Sequence, residues 1–281
     1  MRLLVVVLLV AGVWGCSTRL TGLSELRRLE QRVSRLETKQ ASRIEVRAAN
    51  QPLSSISRTI VQQAAIIKYS VVEIIADPSV VTNSGTGFVY NNDGIILTND
   101  HLVRVTVRKP NGEIKTYYKD KITVKLYDGR SVTGRLIGID PSTDLAAIKI
   151  DIEDLPQPLQ LSTRRLQQGE LTYSIGHPRG LSYSLEWRPV SATYRRGSLK
   201  GSLLHQLDRG FFVGNSGGPV LDLQGKVIGM VYSTLNFKDK TDPQKIVVYA
   251  AVGWAIPSET LLKIAPELIT GKHKITGFIK N

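Results

Sequence analysis

Residues 214–219 read Gly-Asn-Ser-Gly-Gly-Pro, and the types alone define a possible chemistry. A serine flanked by glycines suits a tight turn, because glycine tolerates positive φ and brings no Cβ against an approaching ligand. Backbone N–H groups released from regular structure there can converge on the oxygen of a carbonyl under attack, with Gly214 and Ser216 as the expected pair. Losing one such donor typically costs about 2.7–4 kcal/mol of transition-state stabilisation. A plain Gly/Ser turn joining two strands has the same composition, so the motif needs partners.

A serine hydroxyl is a weak nucleophile. It needs a base, and the base needs a carboxylate to orient it. His101 follows the apolar run 94–98, and Asp144 stands where the turn Asp140-Pro141-Ser142-Thr143 enters the apolar run 145–150. Taken singly, Asp144 could cap a turn and His101 could be a core histidine. The order along the chain is His101, Asp144, Ser216. With Gly85-Thr86-Gly87-Phe88-Val89 and Gly253-Trp254-Ala255-Ile256-Pro257-Ser258, these segments resemble the HtrA (Deg) family of chymotrypsin-fold serine proteases, over about residues 60–266.

The resemblance implies an all-β, chymotrypsin-like double β-barrel that cleaves peptide bonds through an acyl-enzyme, with no metal and no organic cofactor. Ser216 would be the nucleophile, His101 the general base and then acid, and Asp144 the carboxylate that fixes the imidazole tautomer. His177, in Ile-Gly-His-Pro where the family usually has Asn, is the one rival base and reads as a loop substituent near the cleft. His205 and His273 have no matching context.

The substrate pocket departs from the family pattern. Asp208-Arg209-Gly210-Phe211-Phe212-Val213 stands where the family commonly has Asp-Ala-Ala-Ile-Asn-Pro. A trypsin-type pocket would carry an acid six residues before the serine, and Gly210 is there instead, so cleavage after Lys or Arg is not expected. Phe211 either narrows the pocket toward small or medium aliphatic residues or belongs to the core of the second barrel.

Positioning these groups requires two sets of strands. Val- and Ile-rich runs predict strands at 70–76, 86–90, 94–98, 121–127, 130–139 and 145–150, with turns at Asn91-Asn92-Asp93-Gly94 and Asp128-Gly129. A second set is expected at 171–175, 181–187, 190–194, 203–207, 219–222, 227–234 and 247–256, with helices at 59–68 and 260–265. Two barrels, about 69–150 and 160–258, would leave a cleft between them. Residues 104–118 form a basic hairpin around Asn111-Gly112 that is longer than the family pattern; it either flanks the cleft or is ordinary loop variation.

The chain has 281 residues and a net charge of +13, with 42% hydrophobic residues, enough for one or two domains with real cores. Lys and Arg are scattered, with no aromatic-interleaved basic motif or zinc-finger spacing, which excludes a nucleic-acid partner and favours anionic membranes or acidic clients. Cys16 is the only cysteine, so an intrachain disulfide is impossible. It follows an apolar run at 3–13 and ends Val13-Trp14-Gly15-Cys16, a lipobox-like sequence, so residues 1–15 read as a signal and Cys16 as the lipidation site. An ordinary cleaved signal and an uncleaved anchor are the alternatives.

Residues 16–50 read as a stalk. Leu26, Leu29, Val33 and Leu36 form a short heptad seam, either a small coiled coil or a frayed amphipathic helix. The resemblance makes a homotrimer the expected assembly. Residues 51–281 form the protease domain, and 268–272 resemble the segment that leads into PDZ domains in the family, with none expected in this chain. The reading is thus a serine endopeptidase of the bacterial cell envelope, lipid-anchored and facing the periplasm at the outer membrane if the cell is Gram-negative. Its expected substrates are unfolded or specific envelope polypeptides, with protein quality control as the implied role. The rival is a catalytically silent, protease-fold binding or scaffold lipoprotein.

Overall fold

The expected Val- and Ile-rich strands form, and they close into two six-stranded barrels. The computed structural model describes residues 29, 32, 54–75, 84–108, 111–197, 199, 201–238, 246–272 and 278–279. Cys16 and the heptad positions Leu26, Val33 and Leu36 lie outside the described residues. The chain divides into two units, Met1–Ser54 and Ser55–Asn281, and the second holds both barrels.

Helix α1 (Ser55–Ile67) leads into β1 (Val71–Ile75), β2 (Ser84–Val89) and β3 (Ile95–Thr98), and a single helical turn, α2 (Asp100–Val103), comes after them. Next are β4 (Arg104–Arg108), β5 (Ile114–Lys119), β6 (Lys121–Lys125), β7 (Ser131–Asp140) and β8 (Leu145–Lys149). The first barrel closes in the order β1-β2-β3-β8-β7-β6. The second is built from β9 (Leu171–Gly176), β10 (Ser184–Arg196), β11 (Leu203–Asp208), β12 (Pro219–Leu221), β13 (Val227–Lys238) and β14 (Ile246–Pro257), in the order β10-β11-β14-β13-β12-β9. Closure leaves neither barrel with an unpaired edge.

Several first-barrel strands are buried along nearly their whole length because alternate residues feed two different cores. Side chains on a strand point to opposite faces with period two. In β3, Ile96 packs inside the first barrel, whereas Ile95 and Leu97 join the cluster shared with the second. In β8, Ala146 and Ile148 face inward while Leu145 and Ala147 face that shared cluster. Each fully buried Ile or Leu contributes roughly 1.5–3 kcal/mol, so the joint between barrels is a core in its own right. Helix α3 (Ser258–Ile269) closes the same cluster with Leu261, Ile264, Ala265 and Leu268, spaced to share one helical face.

One expectation changes. The strands expected at 181–187 and 190–194 are one, β10. Pro189 is the last residue paired with β9, opposite Leu171, and the irregular register falls only beyond Val190, so its missing N–H interrupts little of the ladder. The basic hairpin β4–β5 forms as expected, in a three-stranded sheet outside both barrel ladders with β15 (Phe278–Ile279) parallel to β5; its Tyr118 packs into the first-barrel core, and its Arg104 reaches the cleft beside His101.

Candidate active site

His101 sits in the single turn α2 immediately after β3, so barrel closure fixes its starting point. Asp144 lies in the turn between β7 and β8, which Asp140 shapes by accepting hydrogen bonds from the Ser142 amide and hydroxyl and the Thr143 hydroxyl. Asp144 itself has φ 55, an uncommon conformation that Asp tolerates better than most residues. The two turns are laced together. The Asp144 carbonyl accepts from the Asp100 amide at 3.1 Å and from Asn99 Nδ2 at 3.1 Å. The Asp144 carboxylate accepts from the His101 amide at 2.9 Å through Oδ1 and meets His101 Nδ1 at 2.8 Å through Oδ2. A carboxylate at Nδ1 calls for the proton on that nitrogen, which leaves Nε2 as the acceptor.

The carboxylate is buried and the imidazole about one-third exposed, at 6% and 34%. Asp100, the neighbour of His101, is wholly buried, and Arg104 Nη1 at 3.2 Å is its counter-charge. Burial pushes its carboxyl up to about 6, opposed by the Arg104 guanidinium.

The Gly214–Ser216 turn is clamped from the first barrel by Thr86. Its hydroxyl donates to the Gly214 carbonyl at 2.7 Å, and its amide donates to the Ser216 carbonyl at 2.8 Å. Gly214 has φ 102, and a Cβ there would lie 2.2 Å from the His177 carbonyl oxygen, so no other residue fits. The Asn215 amide is spent on the Phe212 carbonyl at 3.1 Å. Among the described residues, the Gly214 and Ser216 amides on either side of it donate to nothing. Ser216 Oγ makes one hydrogen bond there, a long one of 3.5 Å to the Tyr232 carbonyl.

His101, Asp144 and Ser216 line one cleft of about 430 Å³, with Phe211, Val213 and Tyr232 among its other walls. Phe211 belongs to a wall and a core at once. It lines the cleft, and at 8% exposure it also packs in the second-barrel core with Val190, Leu207 and Val231. Gly210 does not line this cleft; it lies beyond Phe211, in an adjoining cavity of about 410 Å³. A Cβ on Gly210 would come within 2.3 Å of Thr234 Cγ2, so an acid could not stand there without moving the Thr234 side chain.

His177 lies next to the Gly214 turn, where its carbonyl oxygen would be 2.2 Å from a Gly214 Cβ, and its ring is fully buried, packed edge-on against Tyr183 with centroids 4.5 Å apart. Among the described residues neither ring nitrogen has a partner, and burial, reinforced by Lys125, pushes its pKa down to about 4. His205 is similarly buried against Tyr194 and similarly depressed, to about 4 by burial with Glu259 opposing. Neither can serve as a solvent-reachable base. His273 lies outside the described residues. Among the described residues no group of three His, Cys, Asp or Glu is placed to hold a metal.

Residue chemistry alone does not single out Thr86, Glu186 or Arg188. Thr86 lies inside a recognisable motif, but its partners are 128 and 130 residues away.

Residues 85–230 match the model of the trypsin-like peptidase domain. A probable periplasmic serine endoprotease, DegP-like, from Chlamydia trachomatis serovar D is 32% identical over 203 residues, covering 69% of this chain and 35% of that protein. A putative serine protease HhoB from Synechocystis sp. is 33% identical over 192 residues, covering 66% of this chain and 40% of the relative. This chain therefore spans little more than a third of the length of the curated relatives it matches. Among solved structures, an HtrA-type protease AlgW with tripeptide superposes with TM-score 0.60 at 27% identity, over 78% of this chain and 65% of that one.

Proposed function

The chain belongs to the trypsin-like peptidase family and is homologous to the DegP/HtrA serine endoproteases, and from that premise we propose that it is a serine endopeptidase of the bacterial cell envelope. The observation that carries this is the double grip of Asp144 on His101, on its amide and its ring, in a cleft shared with Ser216. With the proton held on Nδ1, Nε2 of His101 can take the proton of Ser216 as Oγ turns from the Tyr232 carbonyl to the substrate carbonyl. The developing oxyanion is received by the Gly214 and Ser216 amides, whose hydrogen bonds are unspent. His101 then protonates the leaving amine, and water, deprotonated by the same imidazole, releases the acyl group.

Phe211 lines the cleft, and its bulk there favours small or medium aliphatic residues at the bond cut. Substrates are unfolded or specific envelope polypeptides, met in the periplasm, with Cys16 as a lipid anchor and the heptads at 26–36 joining protomers, a trimer being the assembly the family suggests. The second reading, a silent scaffold, draws on one observation: Ser216 Oγ bonds to the Tyr232 carbonyl and not to the imidazole. A casein or fluorogenic-peptide assay separates the two. Activity that Ser216→Ala abolishes supports the peptidase; equal rates for both proteins support the scaffold.

A further inference from the structure

Beneath the loop that leads to Ser216 lies a charged pair unrelated to the His101–Asp144 grip. Glu186 and Arg188 are two apart on β10 and so share a face. Arg188 is 4% exposed, an expensive place for a guanidinium unless its donors are used. One arm is used three times. Nη1 donates to the carbonyls of Asp208, Arg209 and Gly210 at 3.4, 3.1 and 3.0 Å. The other, Nη2, pairs with Glu186 Oε2, and the guanidinium carbon stands 4.3 Å from the centre of the Phe211 ring. Glu186 Oε2 also accepts from Asn215 Nδ2 at 3.3 Å.

These contacts form a continuous path. It runs from three successive carbonyls, through Arg188 and Glu186, to Asn215, whose two flanking amides are the unspent ones. The loop needs such a hold. Arg209 lies in the left-handed region at φ 59, a conformation a non-glycine residue keeps only when its surroundings impose it. Three carbonyls turned the same way also repel one another unless a cation gathers them.

We propose that Glu186 and Arg188 are positioning residues that hold residues 208–215 in the shape that seats Phe211 in the cleft wall and keeps the Gly214 and Ser216 amides aimed outward. Neither touches the reacting atoms. The consequence for catalysis rests on the peptidase reading; the consequence for the loop does not.

The test compares Arg188→Met, Arg188→Lys and Glu186→Gln with wild type by thermal unfolding, by hydrogen exchange of the Asn215 amide, bonded to the Phe212 carbonyl, and the Arg179 amide, bonded to the Val213 carbonyl, and by the rate of Ser216 labelling by a fluorophosphonate. Arg188→Met is expected to speed exchange of the Asn215 and Arg179 amides at least 10-fold, with the amides of β3 and β8 unchanged, and to slow labelling at least 10-fold. Arg188→Lys should not restore either, since an ammonium cannot both gather three carbonyls and stack on Phe211. Glu186→Gln should give a smaller change in the same direction, and adding it to Arg188→Met should add little. Should Arg188→Met fail to fold, Glu186→Gln, which alters only a charge on a partly exposed side chain, carries the test alone. Exchange of the Asn215 and Arg179 amides within twofold of wild type in the folded variants overturns the proposal, whatever the labelling. A wild type that does not label overturns the peptidase reading instead, and the exchange data still decide the positioning role.

Discussion

Acid should destabilise this fold through two histidines that take no part in the proposed reaction. His177 and His205 are buried at 0% and 1% exposure, and both are pushed down to about 4 chiefly by burial. In the unfolded chain each returns to about 6.5. A base whose folded pKa is depressed contributes stability that is complete above the unfolded value and lost as pH falls toward the folded one. Going from pH 7 to pH 5, each histidine therefore costs about 2 kcal/mol by linkage. Asp100 works against them. Its carboxyl is raised to about 6 in the fold, so protonating it relieves a buried charge and returns about 1 kcal/mol over the same interval. The net expectation from these three groups is a loss of about 3 kcal/mol, a large part of a typical 5–15 kcal/mol stability.

Urea unfolding at pH 7 and pH 5 measures it, and His177→Leu isolates one contributor. Because neither ring nitrogen of His177 has a partner among the described residues, an apolar side chain of similar size should leave pH 7 stability nearly unchanged or raise it. It should also flatten the pH dependence by about 2 kcal/mol. A variant whose stability falls between pH 7 and pH 5 as steeply as wild type would refute the reasoning, because the ring would then be either solvated or partnered.

The remaining predictions concern the cleft. Asp144→Asn keeps the turn but removes the acceptor that holds the proton on Nδ1, and kcat should fall by about 10⁴ with the fold intact. Phe211→Ala should cost about 3–5 kcal/mol of stability and extend cleavage to larger residues, read by profiling peptide mixtures; an unchanged preference would mean that Phe211 does not narrow the substrate site. Thr86→Val withdraws the hydroxyl that holds the Gly214 carbonyl and accepts from the His177 amide at 3.2 Å. It should cost about 1–3 kcal/mol in urea unfolding and lower kcat without raising KM in proportion.

Much of this molecule can be read before it is seen, because strand periodicity and turn chemistry are local. The runs at 121–127, 130–139 and 145–150 form strands within two residues of their expected limits, and Asn91 and Asp128 both accept from backbone amides in the turns expected of them. The helix expected at 260–265 extends to Ser258–Ile269, since Pro266 falls in its last turn and does not end it. What is not legible depends on distant partners. Arg188 falls in the gap between the strands expected at 181–187 and 190–194, and nothing local marks it as buried; it is the Phe211 loop, distant in sequence, that returns to cover it. His177 reads as a cleft residue from its loop context, and only the packing of Tyr183 against it shows that it faces inward. Phe211 reads as either pocket or core because the wall of the cleft is itself the edge of the second-barrel core.

The central claim is that His101 activates one hydroxyl, and fluorophosphonate labelling followed by peptide mass spectrometry tests it without a known substrate. The account predicts a single modified residue, Ser216, with labelling lost in both Ser216→Ala and His101→Ala. A folded wild-type protein that stays unlabelled, or that labels as fast without His101, would contradict it.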